Sequence, residues 1–95
     1  MIIYISGKIT GDEKARERFA EAEAHLKNLG HVPINPFRVS DACPGLDYGQ
    51  YIRIDLMLIE TVDCLYMLKN WRDSPGATIE HDYARNYSKL IIEEE

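Results

Sequence analysis

Apolar positions recur along the chain in two rhythms, short unbroken blocks and longer stretches with a period of three to four. Ile2 to Ser6 is a compact block rich in β-branched and aromatic side chains, which predicts a buried strand. "GKITGD" follows as a turn with glycine near both ends. Ala15, Phe19, Ala22, Leu26 and Leu29 then recur at helical spacing, and Gly30 stands where a helix would stop. Val32 to Ile34 predicts a second strand, ended by Asn35-Pro36. A loop is expected from Phe37 to Leu46.

Asp47 and Gln50 have capping-box spacing and open a second helix. Tyr48, Ile52, Leu56 and Ile59 form its apolar stripe, with Tyr51, Asp55 and Leu58 beside it. Val62 to Leu68 is a nearly continuous apolar strand, as expected when both faces of a sheet are covered. "KNWRD" is the next loop. Ser74 and Pro75 then start a helix expected to reach about Tyr87, and Leu90 to Ile92 form a last strand. The order βαβαβαβ predicts one α/β domain over residues 1–95, a parallel sheet with helices on both faces. Ligands of such sheets bind beyond the carboxyl ends of the strands. That edge collects "SGKITG", "INPF" and "NWRDSPG" from distant parts of the chain.

Composition changes this picture little. The chain has 95 residues, 45% of them hydrophobic, and a net charge of −5, which disfavours a nucleic acid polymer as partner. The longest apolar run, Cys64 to Leu68, is too short to span a membrane. "MIIYISG" shows no signal-peptide pattern, and Cys43 and Cys64 have no metal-ligand spacing. Free thiols in a reducing cytoplasm are the expectation, with no metal and no cofactor. A domain this small has a narrow stability margin, so help from a partner subunit is expected.

Each chemical candidate on the ligand edge has a plainer reading beside it. "GKITGD" offers helix-terminal amides and Lys8 to an anion; alternatively, it is a βα turn in which Thr10 and Glu13 make a capping box. Trp71 either stacks on a planar ligand or lids the core. Asp63 is equally a strand-end carboxylate, and Asp55 faces either solvent or the pocket. Glu80, six residues after Ser74, suits the helix dipole. It also shares a helix face with Ala84 and Tyr87, which turns it toward the sheet edge. His25, His31 and His81 form no triad with a nucleophile.

Taken in order, "YISGKITG", "INP", "VDCLYML" and "DSPGATIEHDYA" resemble the nucleoside 2-deoxyribosyltransferase superfamily, over nearly the whole chain. The resemblance implies a three-layer flavodoxin/Rossmann-like sheet of order 2-1-3-4. It also implies cleavage of the N-glycosidic bond between a nucleobase and its sugar. Glu80 matches the family's attacking glutamate, and Asp63 an aspartate that supports base and sugar. Substrate contacts map to Tyr4, Gly7, Lys8, Ile9 and Gly11 in the first motif, and to Asn35 in the second. Ser74 and Gly76 carry them in the last, with Trp71 just before. Serine at position 74, together with "GKITG", resembles the 5′-monophosphate N-glycosidases more than the transferases.

The expected substrate is therefore a deoxynucleoside 5′-monophosphate. Transfer between free nucleosides and non-catalytic nucleotide binding are the alternatives. Family members usually continue past the fourth strand, and a neighbouring subunit donates residues from that region; with the small size of the domain, the resemblance implies a homodimer or homotetramer. With Glu95 as the last residue, a more open or differently completed pocket is expected.

Overall fold

Four parallel strands form the central sheet of the computed structural model, which describes residues 1–95. The elements are β1 (Ile2–Ser6), α1 (Ala15–Asn28), β2 (Val32–Ile34), α2 (Pro36–Ala42), α3 (Tyr48–Thr61), β3 (Cys64–Met67), α4 (Pro75–Asn86) and β4 (Leu90–Glu93). A single 3₁₀ turn, Trp71–Asp73, precedes α4. The strand order is β2-β1-β3-β4, as the resemblance implies. In register, Ile3 lies opposite Cys64, Tyr4 opposite Leu65 and Ser6 opposite Met67, while Leu65 lies opposite Ile91.

Alternation along β1 splits the core into two layers. Ile3 and Ile5 face α1 and pack with Phe19, Ala22, Leu26, Cys64 and Leu68. Tyr4 faces the other way, into a layer built with Ile59, Val62, Leu65, Met67, Trp71, Ala77 and Ala84. α1 therefore covers one face of the sheet, and α3 and α4 cover the other. Burying a side chain such as Phe19 or Leu65 completely is worth about 1.5–3 kcal/mol, so these layers fix which end of each strand meets which loop. No helix is long and apolar enough to cross a membrane.

Three local expectations are corrected. The segment expected to be a loop from Phe37 to Leu46 begins with helix α2. Asn35 caps it by accepting the Phe37 N–H at 3.0 Å, and Pro36 occupies its first turn. The Asn-Pro pair that ends a strand thus also starts a helix. The Thr10–Glu13 capping box does not form; instead Asp12 Oδ1 accepts the Lys14 N–H at 3.0 Å ahead of α1. β3 is shorter than the apolar run, although Val62 and Leu68 at its ends remain buried. The Asp47–Gln50 capping box is present in both directions.

Candidate active site

Tyr4 and Ser6, two residues apart on β1, project from the same face of the strand toward α4. Ala77, Glu80 and Ala84 are the buried positions of α4, at helical spacing. The two alanines are small, so the helix approaches the sheet closely and brings Glu80 over β1. The carboxylate is 6% exposed and held at both oxygens. Tyr4 Oη donates to Oε2 at 2.7 Å, and Ser6 Oγ donates to Oε1 at 2.7 Å. Its partners lie 76 and 74 residues away in sequence.

Glu80 opens onto a cleft of about 220 Å³. Its walls come from the β1–α1 turn (Gly7, Ile9, Thr10), from α2 (Pro36, Phe37, Ser40) and from α3 (Tyr48, Tyr51, Ile52, Asp55). The start of α4 closes it with Asp73, Ser74, Pro75, Gly76 and Ala77. Ser74 caps α4, its Oγ accepting the Ala77 N–H at 3.1 Å. The N-terminus of a 12-residue helix therefore points at the cleft. Gly76 permits a close approach there, since a Cβ would meet Tyr48 Oη at 2.9 Å.

Burial pushes the Glu80 carboxyl up to about 7, against the pull of the Ser6 and Tyr4 hydrogen bonds, and the charge of Asp55 pushes the same way. Asp55 is half-buried and raised to about 6, again chiefly by burial. The Tyr4 phenol is raised by burial and by the negative charge of Glu80, so it stays a donor. The site thus pairs two carboxyls that titrate near neutrality, and two neutral hydroxyls hold Glu80. No three His, Cys, Asp or Glu side chains converge to hold a metal ion.

Of the residues expected at the site, Glu80, Tyr4, Gly7, Ile9, Ser74 and Gly76 come together. The other five do not line the cleft. Asp63 sits at the opposite end of the sheet, where Oδ2 accepts the Ile2 N–H at 2.8 Å. Its place is the amino end of β3, away from the strand ends that meet ligand. Trp71 is buried, stacked on His81 with centroids 4.3 Å apart, and its Nε1 donates to Glu93. It lids the core. Asn35 caps α2, Gly11 makes the turn before α1 with φ +82°, and the Lys8 N–H donates to Asn70 at 3.4 Å.

The sequence leaves Asp55 between solvent and pocket and does not single out Ser6; the structure brings both to the site. Asp55 lies three residues after Ile52 and four before Ile59, inside the inward stripe of α3. An acid within an apolar stripe was the available signal. Ser6 was signalled by its two-residue offset from Tyr4. Phe37, Ser40, Tyr48 and Tyr51 gave no chemical signal, because α2 and the tilt of α3 bring them to the cleft.

The solved structures that this fold resembles include enzymes of nucleoside chemistry. A 2-deoxyribosyltransferase from Bacillus psychrosaccharolyticus superposes with a TM-score of 0.77 at 21% identity, over 98% of this chain and 71% of that one. The Clostridium botulinum CMP N-glycosidase BcmB gives 0.72 at 19% identity, over 98% and 70%. A 2-desoxiribosyltransferase from Leishmania mexicana gives 0.72 at 17%, over 97% and 62%. The shared property is the fold. No curated relative matches the chain. The family model described as "Domain of unknown function (DUF4406)" matches residues 1–93, and the chain belongs to that family.

Proposed function

We propose that this DUF4406 member cleaves the N-glycosidic bond of a 2′-deoxynucleoside 5′-monophosphate, with Glu80 as nucleophile. The observation that carries this reading is a buried carboxylate, gripped at both oxygens, that opens onto a cleft at the carboxyl ends of the strands. The names of the neighbours, a deoxyribosyltransferase and a CMP N-glycosidase, support the same class of bond.

The residues divide the work as follows. Ionised Glu80 attacks the anomeric carbon as the C–N bond breaks, and its charge stabilises the oxocarbenium-like transition state. The electron pair leaves with the base nitrogen, and the base takes the one proton that the Glu80–Asp55 pair shares near neutrality, carried on Asp55 when Glu80 is ionised. Water then attacks the anomeric carbon of the glycosyl ester. The ester C–O electron pair returns to Glu80, and the proton of water restores Asp55. Free base and deoxyribose 5-phosphate leave. Phe37, Tyr48 and Tyr51 supply aromatic surface for the base. No Lys or Arg lines the cleft. The phosphate is therefore assigned to the N-terminus of α4 and the hydroxyls of Ser74 and Thr10, where helix amides supply the positive potential.

The test is incubation with a panel of deoxynucleoside 5′-monophosphates and the matching nucleosides, read by chromatography. Release of base from a monophosphate without any acceptor base is expected. Glu80→Gln is expected to lower kcat by about 10³-fold or more. Turnover only when a second base is supplied favours transfer, and turnover unchanged in Glu80→Gln removes Glu80 from the mechanism.

A further inference from the structure

We propose that Ser6 is a positioning residue for Glu80: its hydroxyl fixes the orientation of the carboxylate and favours its ionised form. In chemistry this role rests on Glu80 being the nucleophile, as proposed above.

Ser6 is 0% exposed, and its one side-chain hydrogen bond goes to Glu80 Oε1. Its backbone carbonyl accepts the Leu68 N–H at 2.8 Å, so the sheet holds the strand without help from the hydroxyl. The rest of β1 is Ile2, Ile3, Tyr4 and Ile5, a strand buried from Ile3 to Ser6. A buried hydroxyl is unfavourable unless it is paired. Its presence here is explained by the partner it finds.

The effect on Glu80 is geometric first. The terminal torsion of a glutamate is soft and roughly two-fold. A single donor leaves the carboxylate free to swing about that bond. Two hydroxyls at i and i+2 on one strand take one oxygen each and fix its plane. Whichever oxygen bonds to the sugar, the other becomes the carbonyl oxygen of the glycosyl ester and keeps its donor.

The second effect is on charge. From β1, Glu80 faces the neutral phenol of Tyr4; from α3 it faces Asp55; and Asp73 lines the same cleft ahead of α4. β3 presents apolar Leu65 and Met67 on this face. His81, next on α4, is stacked on Trp71. No cationic side chain lines the cleft. Ser6 and Tyr4 are therefore the two side chains that favour the carboxylate over the acid.

The experiment is a ¹³C NMR titration of the Glu80 carboxyl in the native protein, Ser6→Ala and the near-isosteric Ser6→Cys, alongside pH profiles of kcat/KM on the nucleotide that is turned over. In Ser6→Ala the Glu80 midpoint is expected to rise by about one pH unit. The acid limb of kcat/KM should move with it, so that activity falls about tenfold below the limb and recovers above it. Ser6→Cys, a weaker donor of similar size, should fall between the two and guards against a folding defect in the alanine variant. A Glu80 titration that superimposes on the native one in both variants overturns the role of Ser6, even if turnover is normal. A shifted titration in a protein inert to every nucleotide and nucleoside overturns the nucleophile instead, and leaves Ser6 as the group that sets the ionisation of Glu80.

Discussion

A glutamate that is 6% exposed, with no cation beside it, is held in an unfavourable place. Burial raises its proton affinity, and two hydroxyls recover only part of the lost hydration. Such a group is poorly explained by stability and well explained by a cleft in which charge is needed. Asp55 shares that cleft and Asp63 does not. Asp55→Asn is therefore expected to lower kcat by about 10²-fold or more, most for the poorest leaving base. Asp63→Asn should loosen the Ile2 contact and leave kcat/KM close to native. Steady-state kinetics of both variants checks this, and the reverse ranking contradicts the assignment.

At the scale of elements, the apolar blocks and stripes locate β1, α1, β2, α3, β3 and β4, and the Ser74-Pro75 start locates α4. α2 was illegible for a physical reason. It is 7 residues long and buries only Pro36, so it has no apolar stripe to read. Its start lies in Asn35-Pro36, which equally ends a strand. The site was legible where local chemistry carries it: Ser74 and Pro75 as a helix start, Glu80 on the face of Ala84. It was not legible where the partner is remote. Nothing near Glu80 in the chain shows that Tyr4 and Ser6 bind it, since strand order alone brings β1 under α4. Trp71 and Asp63 illustrate the opposite error. Both have the right chemistry, but the first turns inward to His81 and Glu93 and the second lies at the wrong end of its strand.

For the whole molecule, the raised carboxyls link function to stability. The folded state holds the Glu80 proton up to about pH 7, whereas the unfolded chain releases it near 4.3. Its contribution is thus fully present below about pH 4 and lost as pH rises through 7, amounting to about 4 kcal/mol. Asp55 acts in the same direction, with loss as pH rises through about 6. Denaturation of the native protein and Glu80→Gln across pH 4 to 8 should therefore show the variant gaining relative stability as pH rises; a constant difference contradicts the burial described here. The central claim is that the Glu80 carboxylate forms a bond to the sugar. Its most direct test is acid-quenched digestion of the protein during turnover, with mass spectrometry of the α4 peptide. A deoxyribose 5-phosphate adduct on Glu80, absent in Glu80→Gln, is the predicted result. Turnover with no adduct, or with the adduct on another residue, would contradict it.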